Sequence, residues 1–227
     1  MFRSLKFIEL CRHNSRKLTK LAYISDIHLE KSSWNNSYPK IAPDMLDSIE
    51  DVHGLALLGD IGNPTHKNYI QFLSYCSDMF KNVYLLSGNH EYYIKNIKLE
   101  NIKNTIETQI NKSVETACRI TNKENIHYLN NKTIEIEPDK YIIGTTLWSD
   151  HTNSIPFVNN FLQQFYTFVN IEYNNSVYFL NNELTKIENK NLNNNLEDAN
   201  VTILSHYLPT LKLVDSEYMS IYYINTE

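Results

Sequence analysis

Cysteine is scarce in this chain: Cys11, Cys76 and Cys118 are odd in number, far apart and outside any CxxC pattern. That excludes a disulfide framework and a thiolate zinc knuckle, and leaves the ordinary thiols expected of an intracellular protein. No apolar run approaches the length of a membrane span, and the N-terminus lacks an apolar signal core. A membrane partner is therefore not expected, and the cytoplasm is the expected compartment. There is no glycine-rich P-loop, so any phosphate chemistry has to be built from other groups. No composition shift marks a linker within the 227 residues, a length that suits one large domain or a small pair. An excess of positive charge is also missing. The net charge of -5 argues against wholesale coating of nucleic acid, although it permits a local basic patch.

What is present is enough for a substantial core, with 42% hydrophobic and 12% aromatic residues and sixteen tyrosines. Asparagine is over-represented at thirty residues, five of them between Asn189 and Asn195, a bias expected of a surface loop. In such a chain, Asn-Xaa-Ser/Thr matches such as Asn111-Lys112-Ser113 arise by chance. Residues 1–20 carry six basic side chains against the single acid Glu9. An organelle presequence can look like this, but weak amphipathicity and the glutamate favour a short solvated helix or strand, and residues 1–20 read as a basic extension to a domain spanning 21–227.

The chain is organised around Asn82-Val83-Tyr84-Leu85-Leu86, an apolar run that stops abruptly at Ser87-Gly88-Asn89-His90-Glu91. Two earlier segments are built alike: Leu21 to Ser25 runs into Asp26-Ile27-His28, and Gly54 to Leu58 runs into Gly59-Asp60. Three buried strands ending in Asp, His or Asn place their ligand-type residues at the carboxyl edge of one sheet, where open α/β sheets bind ligands. Helices are predicted over 42–52, over 65–80 with Thr65 as cap, and over 97–120, where Ile97, Ile102, Ile106, Ile110 and Val114 recur on one side. This β-α-β-α-β-α pattern implies parallel strands. It then changes: 126–129, 133–136 and 141–148 read as strands with short links, an antiparallel addition beginning a second sheet. A helical stretch over 155–190 and a buried strand, Val201 to Leu204, ending in Ser205-His206, complete the reading.

Asp26 and His28 stand two apart, so on an extended chain both side chains point the same way. Asp60 offers two oxygens suited to bridging two cations, Asn89 an amide oxygen, and His206 an imidazole. An oxygen and nitrogen donor set suits Mn, Fe, Zn or Ni better than soft, thiolate-loving metals. Two such ions would lower the pKa of a bridging water and clamp a phosphoryl oxygen.

Taken together, Asp26-Ile27-His28, Gly59-Asp60, Gly88-Asn89-His90-Glu91 and Ser205-His206-Tyr207-Leu208-Pro209 resemble the calcineurin-like metallophosphoesterases, in that family's order and over roughly residues 20–210. The resemblance implies an α/β fold of two packed mixed sheets flanked by helices, a four-layer sandwich. It also implies a metal-dependent phosphoesterase acting on a phosphorylated substrate through two divalent ions. Asp26 and His28 would bind the first ion, Asp60 would bridge, and Asn89 and His206 would bind the second. His90 would contact the phosphate and protonate the leaving oxygen, with Glu91 behind the ligands. Gly88 fits a position needing positive φ or close backbone approach. His13, His53, His66 and His127 match no block and read as surface or packing residues, as do Tyr92 and Tyr93; His151 is a weak candidate for the site.

The family's later Gly-His-Xaa-His block has no counterpart, since no histidine follows His206. The inherited ligand set is then short on each ion and the last strands of the sandwich are missing. The expectation is either a continuation beyond Glu227 or a shortened, weakened member. Beside the phosphoesterase stand an impaired binding or regulatory module that keeps the pocket but not turnover, and a nuclease, which the acidic balance does not support. Substrate and oligomeric state are not specified by the sequence.

Overall fold

The computed structural model describes residues 6–8, 20–31, 46, 49, 51–93, 99–149, 160–194 and 200–208. The helix expected over 42–52 falls mostly outside them, although Leu46 and Ile49 are buried. The chain forms two compact units, Met1–Tyr128 and Leu129–Glu227.

The first unit is built on a sheet of five strands in the order β1 (Lys6–Ile8), β2 (Leu21–Ile24), β3 (Gly54–Leu58), β4 (Val83–Leu86) and β5 (Ile126–Tyr128). The strands β2 to β5 are parallel, and β1 adds to the β2 edge antiparallel, so part of the basic N-terminal stretch is a strand of this sheet. Strands of such a sheet read as continuous apolar runs because both faces are covered. Val83, Tyr84, Leu85 and Leu86 are all fully buried. Two helices follow, α1 (Lys67–Met79) and α2 (Ile102–Thr121), and they pack against each other. The apolar stripe of α1, Tyr69, Phe72, Leu73 and Cys76, is buried as its spacing predicts. In α2, Ile102, Ile106 and Ile110 are buried, and Ser113 and Ala117 continue the stripe instead of Val114.

The structure corrects several sequence expectations here. The strand at 126–129 does not open the second sheet. It pairs parallel with β4, in register Val83 to Ile126, because a twenty-residue helix separates the two and a crossover of that length returns the chain in the same direction. Thr65 does not cap α1: its N–H and its hydroxyl both donate to Asn63 Oδ1, at 2.9 and 2.7 Å, closing a turn. The helix starts two residues later, with His66 at its cap and no side-chain cap bond. His53 and His127 stack on the two sides of Tyr84, so both are packing residues.

The second unit carries a three-stranded sheet, β6 (Lys132–Glu137), β7 (Lys140–Thr145) and β8 (Asn200–Ser205). A hairpin joins β6 to β7 antiparallel, through Asp139 at φ 61°, and β8 pairs parallel with β7. Between β7 and β8 runs α3 (Asn160–Asn194). Its Ile187 packs with Tyr141 and Ile143, with Phe179, Leu180, Leu184 and Val201 around them. Two more expectations fail in this unit. Asn189 to Asn194 are helical, not loop. The β8 strand is not a buried one: Leu204 is its only buried residue, and Ile203 is 46% exposed. The chain is thus an α/β protein with one mostly parallel sheet and one mixed sheet, as the sequence predicts.

Gly54, at the start of β3, packs closely against the neighbouring backbone. A Cβ there would lie 2.6 Å from the main-chain oxygen of Asn82, which also accepts the Leu55 N–H. Backbone cannot yield as a flexible side chain does. Gly54→Ala is therefore expected to lower the urea midpoint with little change in slope, by about 1–3 kcal/mol, the usual cost of overpacking.

Candidate metal centre

The ends of β2 and β3 are stitched together by backbone bonds that continue past the strands. Asp26 N–H donates to Gly59 O at 3.1 Å, His28 N–H to Asp60 O at 3.0 Å, and Leu29 N–H to Ile61 O at 2.8 Å. Gly62 allows the turn after β3 to lie on the turn after β2, since a Cβ would sit 2.9 Å from Leu29 Cβ and 3.2 Å from Leu29 N. The segment 26–28 is not extended. Asp26, His28 and Asp60 have φ values of 58°, 54° and 54°, in the left-handed region. Asp and His visit it more readily than most residues, but each such position costs of order 1–3 kcal/mol and persists only where surrounding structure fixes it. Here it is fixed by the interstrand bonds above, and the side chains converge because the backbone coils, not because an extended chain alternates.

Asp26, His28 and Asp60 each bring one ligand atom within 4.8 Å of the others, and His28, Glu30 and His90 form a second such group. Asp60 is only 3% exposed. Its Oδ1 accepts the His90 N–H at 2.8 Å, while Oδ2 lies 4.0 Å from His28 Nε2 and 3.9 Å from His90 Nε2. The two imidazoles meet edge to face with centroids 4.4 Å apart. Asp26 is exposed, and the Ser25 hydroxyl donates to its Oδ2 at 2.7 Å. The half-buried Asn89 turns its amide nitrogen to the Tyr93 hydroxyl at 3.0 Å. Tyr93 is 55% exposed and stands 4.9 Å from the His90 ring, so it belongs to the rim of this group, where the sequence reading had assigned it to packing; Tyr92 is buried. His206 follows β8 in the second unit, where its ring meets Tyr207 edge to face at 5.0 Å. His151 and Pro209 lie outside the described residues.

Glu91 is fully buried and holds the turns after β3 and β4 together. Its Oε2 accepts the N–H groups of Asp60 at 3.0 Å and Gly88 at 2.8 Å. Its Oε1 accepts those of Ile61 at 2.8 Å and Gly62 at 3.4 Å. Burial, and then the Asp60 carboxylate, push its carboxyl up to about 7, against the backbone donors, which favour the charged form. Gly88 does not have a positive φ; its N–H is what the position supplies. Glu30 escaped the sequence reading altogether. Its Oε1 lies 3.1 Å from His28 Nδ1 and 3.8 Å from His90 Nδ1, and its Oε2 is buried with no partner. The available signal was a carboxylate two residues after a candidate ligand, on a segment whose coiling could not be foreseen.

A cation fits this donor set. All the donors are oxygen or nitrogen, two of the acids and both imidazoles converge, and a buried carboxylate oxygen lacks a partner; such a group calls for an ion or water.

The family model described as calcineurin-like phosphoesterase matches residues 19–223. The uncharacterized protein L509 of Acanthamoeba polyphaga mimivirus is 34% identical over 141 residues, which cover 59% of this chain and 46% of that protein. The match thus spans about half the length of the relative.

Replacing Glu91 by Gln would leave one pair of backbone donors facing an amide NH2. Each unsatisfied buried N–H costs about 1–3 kcal/mol. Glu91→Gln is therefore expected to destabilise the metal-free chain by roughly 2–4 kcal/mol in urea unfolding.

Proposed function

This chain belongs to the calcineurin-like phosphoesterase family, and from that premise we propose that it hydrolyses a phosphomonoester or phosphodiester at a binuclear site. The observation that carries the reading is the convergence of Asp26, His28 and Asp60 within 4.8 Å, with His90 bonded to Asp60 through its main chain. When bound, divalent ions at such a site supply a water of lowered pKa and a positive clamp for the phosphoryl oxygens. Asp26 and His28 would hold one ion, Asp60 would be shared, and Asn89 with His206 would serve the other, the last by its motif alone.

His90 is suited to work on the leaving group. Its side chain is 38% exposed, so substrate can reach it, and its Nε2 is oriented by Asp60 at 3.9 Å. An imidazole held by a carboxylate can donate a proton to the departing oxygen and recover it from water. The Tyr93 ring beside it limits how His90 can turn. Substrate choice would reside in the segments 30–43, 61–66 and 148–170, which the ligand motifs do not constrain. A binding or regulatory module that keeps this site without turnover is the second reading.

The readings are separated by titrating Mn, Fe, Ni and Zn against a chromogenic phosphate ester. Turnover with at least one metal supports the enzyme, and its absence with all four the module. Asp60→Asn should weaken both ions, measured as metal content after dialysis, because it is the one ligand they would share. His90→Ala should keep metal content near normal while turnover falls about 10²–10⁴-fold. Metal loss in the His90 variant would overturn its assignment as acid.

A further inference from the structure

We infer that Glu30 is a positioning residue that sets the tautomer and orientation of His28. The inference deepens the metal-centre reading, and its first test does not depend on that reading.

Both imidazoles present Nε2 to Asp60 Oδ2, at 4.0 and 3.9 Å, and both present Nδ1 to Glu30 Oε1, at 3.1 and 3.8 Å. Only the His28 Nδ1–Glu30 contact, at 3.1 Å, is within hydrogen-bond reach, and a carboxylate accepts, so that Nδ1 carries the hydrogen. In neutral His28 that leaves the lone pair on Nε2, the side of Asp60 and of the Asp26 cluster. This is the tautomer a metal-ligating histidine needs, with its second nitrogen donating to a carboxylate. The contrary assignment is Glu30 as a ligand with His90, and the spectra of the Glu30 variants separate the two.

Glu30 is held in place to do this. The Leu29 N–H donates to Ile61 O at 2.8 Å, Asn68 Nδ2 donates to Leu29 O at 2.8 Å, and the Lys31 N–H returns to His28 O at 3.0 Å, so the residues on both sides of Glu30 are pinned. The left-handed φ of His28 then brings the chain back on itself, and Glu30 meets the ring two residues earlier. Its Oε2 is buried against Gly62, whose Cβ, were it present, would lie 3.4 Å from it. The turn at Gly62 thus bounds the carboxylate on one side.

The test is read first in the metal-free full chain, at a pH where both rings are neutral. Long-range proton–nitrogen spectra should show His28 as the Nδ1–H tautomer in the wild type, and Glu30→Ala should shift it toward the Nε2–H form that free imidazole prefers. Glu30→Gln keeps an acceptor oxygen and should retain the wild-type tautomer. Circular dichroism and urea midpoints establish that each variant is folded. An Nε2–H tautomer in the folded wild type, or no change in folded Glu30→Ala, would overturn the inference. Cobalt titration then adds the metal arm. Glu30→Ala should weaken binding about 10–100-fold, Glu30→Gln should restore most of it, and the visible spectrum should keep its shape in Glu30→Gln. A spectrum altered equally by both substitutions would show that Glu30 is a ligand and overturn the positioning role. A wild-type chain that binds no cobalt would count against the metal centre, leaving the tautomer result to stand on its own.

Discussion

The buried carboxylate of Glu91 is the tie on which the site depends. Its two oxygens accept four backbone N–H groups, three from the turn after β3 and one from the turn after β4. Asp60 sits in the first of them, in a left-handed conformation that would relax if its N–H were released, and its carboxylate in turn accepts the N–H of His90. Glu91 fixes Asp60, Asp60 fixes the start of the turn that presents His90, and His28 is aligned because its own N–H is bonded to the Asp60 carbonyl. The arrangement carries an electrostatic cost. Burying a carboxylate near a second one raises its pKa, and the four donors oppose this without cancelling it.

Much of this was legible in the sequence, for a physical reason. A strand buried on both faces has to be continuously apolar, so a polar residue at its end stands out against the run. Three such ends with Asp, His and Asn fix the strands, their parallel order and the edge that holds the chemistry. The helix faces of α1 and α2 were legible for a similar reason, since a period of 3.6 leaves little alternative for Tyr69, Phe72, Leu73 and Cys76. The later part of the chain was less legible. A strand of three residues such as β5 carries no direction in its own sequence, and only the twenty-residue helix before it decides that it runs parallel. The Asn-rich end of α3 misleads because composition was weighed where a long helix continued through it.

The site's interior was legible in part. The identity of Asp26, His28 and Asp60 as candidate ligands could be read, but the way they converge could not. Period-two alternation predicts that Asp26 and His28 share a side, whereas three left-handed residues bring the side chains together. Left-handed backbone at Asp or His leaves no mark in composition or periodicity, since it is imposed by bonds to a neighbouring strand. Glu30 was invisible for the same cause, because its approach to His28 and His90 follows from that coil. Tyr93 was misread because an aromatic next to a buried one, Tyr92, looks like core until the short 3-10 turn at His90–Tyr92 sends the two rings apart.

The charges gathered at this edge bear on what the centre can bind. Asp26, Glu30 and Asp60 lie around two imidazoles, with Glu91 directly behind Asp60. A phosphate ester is itself anionic, and in a partly buried site like charges repel more strongly than they do in water. Two imidazoles contribute donors to an ester oxygen, but in either charge state they do not offset three or four carboxylates. An anionic substrate could enter only after cations had reversed the sign of the pocket. The same carboxylates that would exclude phosphate from the empty edge are the oxygen donors that attract divalent ions to it. On this reasoning a metal would be required for binding a phosphorylated substrate as well as for activating water, and the strain and buried charge held at the strand ends would be the cost of keeping those donors converged for the ions.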